Sequence, residues 1–129
     1  MSVAIVCTAL LGLLVFGLGL MVSAARGSTN QVIGHPPDPA DRLHKLVRAH
    51  GNATEYAPMM GVLFIIVGSR EPAAWVVWTV VAATVCRYLH AAGMIAYETL
   101  AKPNPLRFVG ALGTYVTGLA LVVAALLRA

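Results

Sequence analysis

Two long runs without a charged side chain constrain the fold of this chain more than any other feature. They cover residues 2–25 and 108–127 of a chain of 129 residues. A helix of about 20 apolar residues spans the hydrocarbon layer of a bilayer, so each run is long enough to cross a membrane alone. Charged residues make up only 11% of the chain, whereas about a quarter is typical of soluble domains. The sequence therefore predicts an integral membrane protein.

Two shorter apolar runs, residues 57–69 and 73–86, lie between the long ones. Each crosses a membrane only if its helix continues through polar residues, the first through residues 48–55 and the second through Arg87 and His90. We therefore expect one all-α domain, residues 1–129, folded as a four-transmembrane-helix bundle. The expected spans are residues 2–25, 44–68, 73–97 and 105–127.

The connections between these spans carry recognisable helix boundaries. Residues 27–39 are rich in glycine and proline, which excludes a regular helix there. The first helix is expected to end before this segment. Asp38 or Asp41 is expected to cap the second helix, and Asn104 the fourth, with Pro105 at its first helical position.

The distribution of positive charge predicts an orientation. If the chain crosses four times, one side carries only Arg70 and Arg128, and the other carries the larger group of Arg26, Arg42, Lys45, Arg48, Lys102 and Arg107. Positively charged connections stay in the cytoplasm, so both termini are expected outside. Frequent Ala, Gly, Val and Arg with only two Lys favours a GC-rich bacterial genome, and hence a bacterial inner membrane.

Several other classes of protein fit the sequence poorly. No Lys or Arg precedes the first apolar run, and that run is long, so a retained helix is favoured over a secretory signal. Cys7 and Cys86 lie in different spans without a partner motif, so neither a disulfide nor a metal site is expected. The net charge is +4 and no basic run alternates with aromatic residues, which argues against nucleic acid as a partner.

A stripe of polar residues on the second span is the strongest indication of a site. Arg48, Asn52 and Glu55 fall within about 60° of one another around a helix. Arg87 and His90 form a second polar surface at a similar depth. Ionisable groups inside a membrane normally line a protein interior or a wet cavity. One interpretation is internal ion pairing of an arginine with Glu55, but the cations outnumber the anion, which favours a site for an anionic ligand.

The motifs in these segments resemble the MAPEG family, the membrane-associated proteins in eicosanoid and glutathione metabolism. They are Arg-Ala-His-Gly-Asn-Ala-Thr-Glu-Tyr-Ala-Pro at residues 48–58, Arg-Tyr-Leu-His at 87–90 with Tyr97 beyond, and Pro-Asn-Pro-Leu-Arg at 103–107. The resemblance covers essentially the whole chain and is greatest to the small bacterial branch. It implies a homotrimer that holds glutathione between neighbouring subunits, in a site facing the cytoplasm.

The chemistry of glutathione suits this stripe. Arg48 can bind a carboxylate, Glu55 the ammonium and Asn52 an amide. The resemblance further implies that His50 serves the adjacent subunit's site and that Arg26 reaches across from a neighbour. Interfacial anchoring of Arg26, and structural roles for Arg87 and His90, are the alternatives. The expected glutathione-binding residues are Arg26, Arg48, His50, Asn52, Glu55, Tyr56, Arg87, Tyr88 and His90.

Catalysis requires the glutathione sulfur as a thiolate, which a nearby positive charge favours. Arg107 is the expected catalytic residue, because it lies in the first turn of the last span where the helix dipole also favours an anion. Its position is about two residues from that of the family's activating arginine, and a lipid-phosphate anchor is the alternative. Where some family enzymes have a tyrosine, this chain has Ala91 and Ala92.

Three functions remain open at this stage. The first is a glutathione transferase or peroxidase acting on a lipophilic small-molecule substrate that enters from the membrane lipid. The second is a non-catalytic scaffold that binds glutathione or another anion. The third is a small transporter or channel, against which the lack of an inverted internal repeat argues.

Overall fold

The computed structural model describes residues 1–69 and 71–127, and this part of the chain is helical with no β-strand. The prediction of an all-α four-helix membrane bundle is confirmed. The helices are α1 (Ser2–Thr29), α2 (Arg42–Gly68), α3 (Ala74–Ile95) and α4 (Pro105–Leu126). Arg70 and Arg128, which the charge argument assigned to the outer side, lie outside the described residues.

The four helices differ in how well they suit a membrane. By length and composition, α1, α3 and α4 are each able to cross a bilayer. The 27 residues of α2 correspond to about 40 Å of helix, which is ample length, but its polar residues lower its mean hydropathy. The helix packs against α1, α3 and α4. A membrane crossing by α2 therefore remains a prediction that follows from its place in the bundle.

Side-chain caps define the starts of α2 and α4. The carboxylate of Asp41 accepts a hydrogen bond from the backbone N–H of His44 at 2.9 Å. The side-chain oxygen of Asn104 accepts one from the backbone N–H of Arg107 at 2.8 Å, and Pro105 is the first residue of α4. These contacts satisfy N–H groups that have no partner inside a helix. The expected capping by Asn104 is confirmed, and of the two aspartates Asp41 caps α2.

The end of α1 lies further along the chain than the loop composition indicated. The helix continues to Thr29, and the backbone of Asn30 then turns into the left-handed conformation at φ 52°. The hydroxyl groups of Ser28 and Thr29 donate to the carbonyl of Ala25 at 2.9 and 3.0 Å. Both hydroxyl groups donate to one carbonyl of the last turn, and the backbone N–H of Asn30 donates to the carbonyl of Arg26, which ends the helix after Thr29.

Glycines bring α3 and α4 into close contact at the end of the bundle that carries most of the basic residues. A Cβ atom at Gly110 would strike the backbone of His90, and one at Gly93 would lie 2.5 Å from the backbone nitrogen of Arg107. Only glycine permits this approach of two helix backbones. The contact fixes His90 of α3 directly beside the first turns of α4.

Candidate functional site

The centre of the polar region is the buried side chain of Arg87, which is 1% exposed. Its Nη2 donates to the side-chain oxygen of Asn52 at 2.7 Å and to the Asn52 carbonyl at 3.3 Å. The guanidinium carbon lies 5.0 Å from the ring centre of Tyr56, a cation–π arrangement. Its Nε has no hydrogen-bond partner within the described part of the chain. Arg87 of α3 is thus held by an amide and an aromatic ring of α2.

The stripe on α2 divides into an inner and an outer half. Asn52 and Tyr56 are half-buried and contact Arg87, whereas Arg48 and Glu55 are exposed. Within residues 1–69 and 71–127, neither Arg48 nor Arg87 forms an ion pair with Glu55. The charges are therefore not neutralised by internal pairing of these three residues. Arg48 and Glu55 lie open on the outer surface of the bundle.

Tyr115 of α4 contacts the inner half from the surface of the bundle, and the sequence alone did not identify it. Its hydroxyl oxygen lies 3.1 Å from that of Tyr56, and the two rings meet edge to face with centres 6.0 Å apart. A single tyrosine in the apolar run of residues 108–127 belongs to none of the motifs. The only available signal was a hydroxyl group in a span that otherwise carries only threonines as polar residues.

His90 and Asn104 form a separate polar contact where α3 meets α4. His90 is 8% exposed, and its Nδ1 lies 3.0 Å from the carbonyl oxygen of Arg107, so Nδ1 carries the hydrogen and donates it. Asn104 donates from Nδ2 to the carbonyl of Gly93 at 3.0 Å. These hydrogen bonds connect the two helices. These contacts agree with the alternative in which His90 has a structural role instead of binding glutathione.

The guanidinium of Arg107 lies over the connection between α3 and α4. Nη1 donates to the carbonyl of Leu100 at 2.9 Å, and Nη2 donates to the carbonyl of Lys102 at 3.3 Å. The backbone N–H of Leu100 in turn donates to the carbonyl of Pro39 at 3.0 Å. Arg107 thus stabilises a loop that is joined to the α1–α2 connection. Hydrogen bonds to carbonyl groups leave its positive charge unneutralised.

The remaining predicted site residues contact α1 or lie on it. The hydroxyl of Tyr88 donates to the carbonyl of Leu10 at 2.8 Å. The Nε2 atom of His50 packs against Gly19, and a Cβ atom added to that glycine would lie 3.2 Å from it. Arg26 donates from Nη1 to the carbonyl of Gln31 at 3.4 Å. The structure thus brings Asn52, Tyr56 and Arg87 together, and places Tyr88, His50 and Arg26 elsewhere in the chain.

Two grooves on the bundle lie away from the polar stripe. One, of about 470 Å³, runs between α1 and α2 past Ala57 and Pro58 and is almost wholly apolar. The other, of about 730 Å³, lies where the end of α2 meets the start of α3. Neither groove is lined by Arg48, Asn52 or Glu55. The stripe is therefore a surface of this chain rather than the wall of one of these grooves.

Comparison with known proteins gives one clear relationship. The MAPEG family model matches residues 4–127, which is nearly the whole chain. No curated protein matches the chain.

Proposed function

Because this chain belongs to the MAPEG family, whose members generally use glutathione, we propose that it binds glutathione and uses it as a transferase or peroxidase. The observation that carries the proposal is the pair of exposed charges, Arg48 and Glu55, beside the buried Arg87 and the half-buried Asn52 and Tyr56 that contact it. Opposite charges seven residues apart on one helix face suit a zwitterionic ligand with separated carboxylate and ammonium groups. Glutathione is such a ligand.

Arg48 and Glu55 have complementary tasks in this proposal. A guanidinium binds a carboxylate through two parallel hydrogen bonds, so Arg48 takes one of the ligand's carboxylates. Glu55 accepts hydrogen bonds from the ammonium group. Neither residue forms an ion pair with another side chain of the described chain. Both therefore remain able to bind.

We propose that a second copy of the chain covers this surface, in a homotrimer with glutathione between neighbouring subunits. Placing one arginine or aspartate at the centre of a membrane helix costs roughly 2.5 to 3.5 kcal/mol on insertion scales. Arg48 and Glu55 are exposed on a single subunit, so burial between subunits together with a charged ligand removes most of this cost. His50 and Arg26 are the residues that the family resemblance assigns to a neighbour's site.

The proposed location is a bacterial inner membrane, with both termini outside and the site facing the cytoplasm. The support is the concentration of positive residues at one end of the bundle, where the positive-inside rule places the cytoplasm. A lipophilic substrate in the bilayer then reaches the site laterally, while glutathione enters from the cytoplasm.

Glutathione supplies a thiolate that attacks the lipophilic electrophile. The protein's part is to hold positive charge near that sulfur, and we propose Arg107 for this task. Its charge is not neutralised by the loop carbonyls, and it lies in the first turn of α4, where the helix dipole also favours an anion. A bound thiolate is expected to draw the Arg107 side chain away from the carbonyl of Lys102, the weaker of its two contacts.

The test is the ultraviolet absorbance of the thiolate when the detergent-solubilised protein is mixed with glutathione. We expect the absorbance to appear with the wild type, to disappear in Arg107→Ala and to return in part in Arg107→Lys. Lys102→Ala removes a positive charge from the same loop and serves as the matched control, which should retain the absorbance. A folded Arg107→Ala protein with unchanged absorbance would contradict the assignment. Absence of conjugation and peroxidase turnover over a broad panel of electrophiles would contradict an enzymatic role.

One observation favours a second candidate, a non-catalytic scaffold that binds glutathione or another anion. The guanidinium of Arg107 is bonded to two carbonyl groups of its own loop, and Ala91 and Ala92 stand where some family enzymes have a tyrosine. This candidate predicts saturable glutathione binding without thiolate absorbance and without turnover.

A further inference from the structure

We propose that Tyr115 donates a hydrogen bond to the reacting oxygen of the lipophilic substrate, and that this substrate is a conjugated carbonyl compound. The inference rests on the proposed glutathione-dependent function and names the class of the second substrate. It starts from the contact between the Tyr56 and Tyr115 hydroxyl groups, whose oxygens are 3.1 Å apart.

The contact between the two tyrosine hydroxyl groups leaves one O–H donor without a partner. Two hydroxyl groups carry two hydrogens, and the bond between the oxygens uses only one of them. Neither hydroxyl has another partner within residues 1–69 and 71–127. The second hydrogen lies at the surface of the chain, because Tyr115 is 54% exposed. It is therefore available to an acceptor that the described part of the chain does not supply.

The position of Arg87 favours Tyr115 as the outward donor. The guanidinium lies 5.0 Å from the Tyr56 ring centre, and a cation at this distance withdraws electron density from the ring and makes the Tyr56 hydroxyl a better donor. When Tyr56 donates to Tyr115, the Tyr115 hydroxyl is polarised in turn and its own hydrogen points outward. Arg87 is 1% exposed, and Tyr115 is 54% exposed, so the chain of groups runs from the core to the surface.

The surroundings of Tyr115 define the chemistry of the acceptor. Exposed apolar side chains flank it on α4, among them Leu112 at 51%, Val116 at 61% and Leu119 at 68% exposed. An apolar surface of this kind favours molecules that dissolve in lipid, because a polar group placed there loses its hydrogen bonds to water. The expected ligand is thus mainly apolar, with one oxygen that accepts a hydrogen bond.

A conjugated carbonyl uses such a donor during the reaction. The thiolate sulfur forms a bond to the β-carbon, the carbon–carbon π electrons move toward the carbonyl, and the negative charge comes to rest on the carbonyl oxygen. Tyr115 stabilises this enolate oxygen through its hydrogen bond, and water then supplies the proton that the α-carbon takes up. The sum is the addition of glutathione across the double bond, and no oxidant or reductant is needed. A donor placed where charge develops accelerates a reaction more than it tightens binding.

The experiment compares two electrophiles in wild type and Tyr115→Phe. One is a long-chain conjugated ketone, and the other is a benzylic halide that carries no oxygen and loses halide. We expect kcat/KM for the ketone to fall about tenfold to a hundredfold, and kcat/KM for the halide to change less than twofold. Glutathione affinity by calorimetry should stay close to that of the wild type, because Arg48 and Glu55, the proposed contacts to the charged groups of glutathione, are unchanged. Tyr97→Phe removes the same atom from a residue whose hydroxyl has no contact in the described chain, and both reactions should proceed at the wild-type rate.

Two results would overturn the inference. If both electrophiles lose the same factor, or if the ketone reaction is unaffected, Tyr115 does not bind the reacting oxygen. These results leave glutathione binding intact and so differ from failure of the proposed function, in which the wild type binds no glutathione. If Tyr115→Phe does not fold, Tyr115→Leu also removes the hydroxyl and permits the same comparison of the two rates.

Discussion

Arg87 is a buried positive charge held without a carboxylate partner in the described part of the bundle. Its contacts are the side-chain oxygen and carbonyl of Asn52 and the ring of Tyr56. Removing one partner of a buried ion pair is usually destabilising, because the other partner is left as an uncompensated charge. Removing Arg87 leaves no such anion, since its partners in the described chain are uncharged. We therefore interpret Arg87 as a positioning residue that orients two side chains of the site, and this role is separable from stability.

Replacing Arg87 by methionine tests this interpretation. Arg87→Met keeps an unbranched side chain, so we expect the protein to fold with its free energy of unfolding changed by less than about 2 kcal/mol. Asn52 and Tyr56 lose their fixed positions, and the Kd for glutathione should rise about tenfold, which is about 1.4 kcal/mol. Thermal unfolding and calorimetry in detergent measure the two effects separately.

Arg42→Met provides the matched control, because Arg42 is an exposed cation at the start of the same helix. Its glutathione affinity should equal that of the wild type. A folded Arg87→Met protein with wild-type affinity would show that Arg87 only joins α2 to α3.

At the scale of elements, the contact between α3 and α4 determines where His90 and Arg107 lie. Gly93 and Gly110 allow the two backbones to approach so closely that a Cβ at either position meets the neighbouring helix. The same contact places His90 against the carbonyl of Arg107 at 3.0 Å. Wider spacing of these helices would move both residues relative to α2.

Alanine substitution separates this close contact from the intrinsic preference for helix. Gly110→Ala should lower the unfolding temperature, because the new Cβ strikes the His90 backbone and the helices must separate. Gly118→Ala is the control in the same helix, since no atom lies within 4 Å of its Cβ. There the better helix propensity of alanine should leave stability equal or higher, by up to about 1 kcal/mol. Equal unfolding temperatures for the two variants would contradict the packing argument.

Helix boundaries illustrate what sequence alone can predict about the elements. Asn104 and Pro105 were sufficient to place the start of α4, because their preferred backbone conformations are local. The end of α1 was misplaced, since the helix continues through Gly27 to Thr29 and ends only at the left-handed residue Asn30, which the composition of the loop does not reveal. Helix starts that depend on neighbouring residues can be predicted from sequence, whereas contacts that depend on the fold cannot.

At the scale of the whole molecule, the four-helix bundle follows from hydropathy, but the composition of the site follows only in part. Periodicity grouped Arg48, Asn52 and Glu55 on one face of α2. It did not show that Asn52 turns toward Arg87 while the other two stay exposed. It also gave no reason to select Tyr115. Both facts depend on how α2, α3 and α4 are rotated against one another, which the sequence of a single helix does not specify.

The central claim is that the exposed charges of α2 bind glutathione, and isothermal titration of the purified, detergent-solubilised protein tests it most directly. We predict saturable binding to the wild type, with the Kd raised at least about tenfold in Arg48→Ala and in Glu55→Gln, since each removes one charge-assisted contact. Arg42→Ala, which removes an exposed charge elsewhere on α2, should bind like the wild type. A wild-type protein that binds no glutathione, or equal affinity in all four proteins, would contradict the account.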